Sequence, residues 1–183
     1  GWFDLERFKN HIKELFSKND REGFYSWSGL RYFLYEYELY LQDNANMKVS
    51  WEDFNKRKKE DTIEHIYPQS PNDIYWKNRF GHLKPSEKRQ YLNSLGNLLL
   101  LNRSKNSKLQ NYDFDKKKCL LNKDGKEIGY YNGSYSEIEV SKHKEWTPDE
   151  IKKRGLLMLQ FMEERWKFSF DNWNISKEDI LFP

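Results

Sequence analysis

Apolar residues recur at helical spacing in three long stretches of the chain. Leu5, Phe8, Ile12 and Leu15 fall on one face of residues 2–17, with Glu and Lys opposite, which predicts an amphipathic helix. Residues 28–42 repeat the pattern with Leu30, Phe33, Leu34, Tyr37 and Leu41, and Ser28 stands where a helix cap would be. A turn containing Gly23 folds the two into an antiparallel pair whose aromatic stripe reads as core. The third stretch has the clearest start signal. Thr147-Pro148-Asp149-Glu150 reads as a capping box with Pro at the first helical position, and Trp146 can staple onto Ile151. That helix should run to about Trp166 and bury Leu156, Leu159, Met162 and Trp166.

Between these helices the periodicity changes. Residues 43–61 break the pattern. Residues 62–67 read as a short strand ended by Pro68. Gly81 and Pro85 divide the next stretch into two short helical turns. Residues 96–101, "GNLLLL", form an apolar run of strand length, most simply a buried strand. "NRSKNSKLQN" follows and should start a helix with Asn102 or Ser104 as cap. Residues 113–121 also read as helix, and the turn-rich residues 122–136 hold a small hairpin. The fold class is therefore α+β, mostly helical around two short strands. Residues 1–45 form the leading helical pair and residues 46–183 the remainder, together one compact domain.

Composition sharpens this picture in two places. The mean hydropathy of −1.07 points toward disorder, but 17% of the 183 residues are aromatic. Disordered chains bury too little apolar surface to offset their conformational entropy, so a folded, aromatic-rich core is the better reading. The single cysteine, Cys119, excludes an internal disulfide or a four-cysteine zinc site. It reads as a packing residue of its helix, and its solitude fits a reducing, cytoplasmic location. The longest apolar run, Leu98 to Leu101, is too short to span a membrane, and no signal peptide is visible. The chain opens "GWFDLERF" without Met, as a domain of a larger protein would.

Charge is uneven. The net charge is +3, but residues 77–118 hold eleven Lys and Arg against three acids, so the rest of the chain is acidic. A basic centre in an acidic molecule suggests an anionic partner. Within and beside that window lie Glu64-His65, Gly96-Asn97 and Asn106. Taken singly, Asn97 is a turn residue and Asn106 a first-turn helix residue. The order of the three carries more than any one of them. Tyr130 and Tyr131 read as core, with base stacking as the alternative. His82, between the two strands, reads as a surface-loop histidine, with a DNA contact as the alternative; His11 and His143 have no evident partners, and Lys116 to Lys118 read as a solvated helix face.

The segments "EHIYPQS" and "LGNLLLLNRSKNSKLQN" resemble the HNH (His-Me finger, ββα-metal) nuclease signature, closest to the C-terminal nuclease domain of GmrSD-type modification-dependent restriction proteins. The pattern there is Asp or Glu before His-Ile-x-Pro-x-Ser, then Gly-Asn-Leu, then a short helix bearing Asn-x-x-Lys. The tail "EWTPDEIKKRG" resembles the same family, so the likeness runs from about Lys59 to Trp166. It implies a His-Me finger core and a metal-dependent endonuclease acting on DNA, the effector of a bacterial anti-phage restriction system. It implies His65 as general base and Glu64 and Asn106 as ligands of Mg²⁺ or Mn²⁺. It implies that Asn97 fixes the loop between the strands near His65, and that Arg103, Lys105 and Lys108 contact nucleic-acid phosphate. It also implies an N-terminal nucleotide-hydrolysing domain in the same protein; no Walker-type glycine loop occurs in these residues.

The chemistry is coherent. Phosphodiester hydrolysis needs a base to activate water and a cation to stabilise charge on the phosphate and the leaving oxygen. An imidazole titrates near neutrality, and Mg²⁺ takes few protein oxygens. The chain departs from many HNH proteins in having Glu rather than Asp before His65, Asn rather than His at 106, and no structural zinc cysteines. Asn106 favours Mg²⁺ or Mn²⁺ over zinc. Adjacent strand residues face opposite sides, so Glu64 and His65 must sit where the strand ends or bulges. A non-catalytic nucleic-acid-binding module and an RNA-directed nuclease toxin are the rival readings.

Overall fold

Asp4 accepts a hydrogen bond from the Arg7 amide at 3.0 Å and so starts the first helix in the computed structural model, which describes residues 4–42 and 50–183. In chain order the helices and strands are α1 (Leu5–Ser17), α2 (Leu30–Leu41), α3 (Trp51–Glu60), β1 (Asp61–His65), α4 (Ile74–Phe80) and α5 (Pro85–Leu92). There follow β2 (Leu98–Asn102), α6 (Arg103–Leu109), α7 (Phe114–Lys118), β3 (Leu120–Leu121), β4 (Glu127–Ile128), α8 (Tyr135–Ser141), α9 (Pro148–Trp166) and α10 (Lys177–Leu181). The fold is α+β, rich in helix, with small antiparallel sheets. No helix among the described residues is long and apolar enough to cross a membrane.

The central hairpin organises the rest. β1 and β2 pair antiparallel, with Asp61 opposite Asn102 and His65 opposite Leu98. Both faces of β2 are covered. Leu98 lies in a core built from α1, α2, α9 and α10, while Leu99 and Leu101 lie in a second core with Trp76, Phe80, Leu109, Phe114, Tyr130 and Trp146. Burial on both faces is why this strand reads as an unbroken apolar run rather than an alternating one. Gly96 sits where α9 crosses the hairpin. A Cβ there would lie 1.9 Å from the Ile151 carbonyl oxygen and 2.7 Å from the Gly155 amide nitrogen, so backbone meets backbone at this point.

Several elements differ from the sequence expectation. The helix reading over residues 2–17 begins outside the described residues, as do the boundary at 45 and the first part of the break at 43–61. Residues 51–60 form α3, capped by Ser50 through the Asp53 amide at 3.2 Å. Its buried-residue set is empty, which is why no apolar stripe announces it. Ser28 does not cap α2; Gly29 occupies that position without a side-chain bond, because Leu30 N bonds Trp27 O in a turn that moves the start on by one residue. α1 makes its main contacts with the 3₁₀ turn Gly23–Ser26 and with α10 rather than with α2. β1 ends at His65, two residues earlier than expected, and β2 starts after a 3₁₀ turn at Leu95–Asn97. α7 stops at Lys118, so Cys119 is exposed instead of packed. The hairpin pairs Leu120–Leu121 with Glu127–Ile128. α9 runs from Pro148 to Trp166; Thr147 accepts from the Asp149 amide at 3.2 Å and donates to Glu150 at 2.8 Å.

Candidate functional site

β1 delivers two ionisable residues to opposite sides of the hairpin at its last two positions. The ladder stops at His65, and the next backbone donor, Ile66 N, bonds the Asn97 carbonyl at 3.0 Å. Asn97 then closes the exit with its side chain. Its Oδ1 accepts from Tyr67 N at 2.8 Å and from Trp146 Nε1 at 3.1 Å. Its Nδ2 donates to the carbonyls of Tyr67 at 3.0 Å and Leu92 at 2.9 Å. Every polar atom of this fully buried amide is satisfied. Asn97→Ala would orphan the Tyr67 amide, the Trp146 indole N–H and two carbonyls. The expected cost is about 2–4 kcal/mol, read as a lower midpoint in urea unfolding with an unchanged slope.

Glu64 turns toward the second core. Its Oε1 accepts from Lys117 Nζ at 2.5 Å and from the Tyr130 hydroxyl at 2.7 Å, which leaves Oε2 for a further partner. Lys117 Nζ also donates to the His65 carbonyl at 3.0 Å, so one ammonium ties Glu64 to the peptide of its neighbour. Lys117 is fully buried and Glu64 is 3% exposed. Burial raises the Tyr130 hydroxyl well above its ordinary pKa, and the Glu64 charge adds to this, so Tyr130 remains a donor at any working pH.

His65 faces the other way. Its ring packs 4.7 Å from the Tyr25 ring at a 42° tilt, and its Nε2 lies 3.3 Å from Asn93 Oδ1. An amide oxygen only accepts, so Nε2 carries the proton and Nδ1 keeps its lone pair. Burial, aided by the nearby Lys117 charge and opposed by the Asn93 hydrogen bond, lowers the imidazole pKa from 6.5 to about 4. The ring is neutral at physiological pH, as a proton acceptor must be.

α6 completes the arrangement. Asn102 ends β2 and caps α6 through the Ser104 amide at 3.0 Å, so the helix leaves the strand without a loop and returns across β1. Asn106 then donates through Nδ2 to Thr62 Oγ1 at 2.7 Å and to the Ile63 carbonyl at 3.5 Å. With the amide nitrogen engaged on the strand, Oδ1 is the atom free to act as a ligand.

A cavity of about 400 Å³ opens along this surface, walled by Glu64, His65, Arg103 and Asn106 together with Tyr25, Gln69 and Gln110 among others. The remaining site residues expected from sequence lie elsewhere. Asn97 stands behind the strand exit as described. Lys105 is engaged by the Gly129 carbonyl at 2.9 Å and by Glu137 at 2.7 Å, and Lys108 is exposed on α6 outside the cavity wall. Among the described residues there is no group of three or more His, Cys, Asp or Glu side chains arranged to hold a metal.

Sequence reasoning missed Lys117, Tyr25 and Asn93, and gave Tyr130 no polar role. Lys117 had a readable signal. Asp113 caps α7 through the Lys116 amide at 2.8 Å, and Phe114 is buried. The residue three positions after Phe114 shares its face, so the middle lysine of the run is the inward one. Asn93 and Tyr25 carry no such signal.

Residues 9–161 match the family model for the C-terminal domain of GmrSD restriction endonucleases. Searches of curated proteins and of solved structures find no match.

Proposed function

The chain belongs to the family of GmrSD restriction endonuclease C-terminal domains, a restriction-type nuclease family, and we propose that the cavity between β1 and α6 is an HNH, or His-Me finger, centre that hydrolyses DNA with a divalent cation. The observation that carries this reading is a neutral, oriented imidazole on the wall of a cavity that Glu64 and Asn106 also line. In the proposed reaction a water gives its proton to His65 Nδ1 as its oxygen attacks phosphorus, and the bond from phosphorus to the leaving oxygen breaks. Asn93 holds the imidazole in the Nε2–H form throughout. Arg103, exposed on the first turn of α6, meets the phosphate.

Glu64 and Asn106 would hold the cation, Mg²⁺ or Mn²⁺. The donor set fits such an ion, because Lys117 and Tyr130 occupy only one carboxylate oxygen and the Asn106 nitrogen is turned to the strand. When bound, the ion supplies charge stabilisation at the phosphate and the leaving oxygen. In the same reading the domain is the effector of a cytoplasmic anti-phage restriction system and works beside a nucleotide-hydrolysing domain of the same protein.

The test is supercoiled plasmid incubated with the protein and Mg²⁺ or Mn²⁺, with and without EDTA. Conversion to open-circular or linear DNA is expected with the metal and should vanish with the chelator. Cleavage that persists unchanged in EDTA would overturn the cation's role, and salt-sensitive binding with no cleavage under any metal would leave a non-catalytic binding module.

A further inference from the structure

Tyr25 belongs to the site's wall yet takes no part in the proton transfer, and its surroundings are unusual for an aromatic ring. It is 38% exposed, although it stands in a 3₁₀ turn whose preceding residue, Phe24, is fully buried. Gly23 makes this possible. Its φ is +52° and an added Cβ would lie 2.5 Å from the Phe16 ring, so the chain turns sharply there, sinking Phe24 and presenting Tyr25 outward. Ser26 Oγ accepts from Glu22 N at 2.8 Å and tightens the same turn.

A second open cavity, of about 320 Å³, borders this ring. Its walls are Tyr25, Trp27, Ser28, Leu30, Arg31 and Ile63. Tyr25 and Ile63 also wall the cavity that holds His65, so the two spaces adjoin at these residues. Trp27 is braced edge-on by Phe8 at 5.5 Å and Phe24 at 6.0 Å, and by Phe33 at 5.9 Å. Arg31 donates to the Asp61 carbonyl at 2.8 Å, which fixes its guanidinium at the wall. No carboxylate lines this second space.

Two held aromatic rings, aliphatic floor residues and one fixed cation, next to a phosphate-cutting site, match the face of a nucleobase. We propose that the second cavity is a stacking subsite for an unpaired nucleobase adjoining the phosphate that is cut, with Tyr25 as the stacking platform. The inference rests on the nuclease reading above and adds a substrate class to it: DNA whose bases are unpaired at the cleavage position. A paired base hides both faces in its own stack and offers the tyrosine nothing, so only a single-stranded, mismatched or extruded base can use the subsite.

The experiment uses the whole protein in EDTA, so that nothing is cut, and three labelled duplexes. One is fully paired, one has a short internal bubble of mismatched bases, and one has the same bubble built from abasic sites. Wild type should prefer the base-containing bubble over the abasic one by about tenfold, within the range measured for single base–aromatic stacks. 2-Aminopurine placed in the bubble should be quenched on binding. Tyr25→Ala should erase the preference and the quenching while leaving affinity for the paired duplex within about twofold, and Tyr25→Phe should keep both. Equal affinity for the two bubbles, no binding to either, or a preference that survives Tyr25→Ala would overturn the subsite. Plasmid cleavage in Mg²⁺ is scored separately. Cutting without a base preference sinks the subsite alone, and a base preference without cutting sinks the nuclease reading alone.

Discussion

His65→Ala is expected to remove metal-dependent cleavage of supercoiled plasmid, with a loss of at least about 10²–10⁴-fold, the usual contribution of a positioned general base. Nε2 is committed to Asn93, and burial depresses the pKa to about 4, so nearly every molecule at neutral pH carries an open Nδ1 lone pair. Alanine leaves no acceptor in that position, and the loss should therefore appear across the whole neutral range rather than only above pH 6.5, where a solvent-exposed imidazole would become neutral. The fold should survive, because the strand exit is held by the Asn97 amide and by backbone bonds, none of which uses the imidazole. Far-ultraviolet circular dichroism and a melting curve close to wild type would establish that the defect is chemical. A variant that folds and cuts at the wild-type rate would remove His65 from the reaction.

What the sequence made legible follows the physics of each signal. The helix over 147–166 was readable because its start combines a cap residue, Pro at the first position and an acidic first turn, all of them local effects. β2 was readable because both its faces are buried. α3 was invisible because it buries no residue, and periodicity reports burial, not helicity. The resemblance located Glu64, His65, Arg103 and Asn106, which line one cavity. It also pointed to Lys105, whose ammonium bonds Glu137 and the Gly129 carbonyl. Partners more than twenty residues away in sequence, such as Asn93 for His65 and Tyr25 for its ring face, depend on how the 3₁₀ turns at Gly23–Ser26 and Leu95–Asn97 set the hairpin. No spacing rule encodes that.

Lys117→Met is expected to be strongly destabilising. The wild-type ammonium is fully buried against Glu64 and the His65 carbonyl. Methionine fills similar volume but leaves the Glu64 carboxylate in the core with the Tyr130 hydroxyl as its one remaining donor among the described residues. Removing one partner of a buried ion pair typically costs about 3–5 kcal/mol, because the other charge stays desolvated, and in a chain of this size that corresponds to a fall in Tm on the order of 10 °C. Replacing both partners is a different case. Lys117→Met combined with Glu64→Gln keeps an acceptor for Tyr130 and leaves no orphaned charge, so the double variant should recover most of the lost stability, with a coupling of about 2 kcal/mol or more between the two sites. Thermal melts of the wild type, both single variants and the double variant close that cycle. If Lys117→Met melts with the wild type, the pair carries no structural load and the ammonium is replaceable. If instead the double variant is stable yet inert in plasmid cleavage, then this core tolerates a neutral pair at Glu64 and the carboxylate is there for the chemistry of the cavity beside it, since packing alone would accept either.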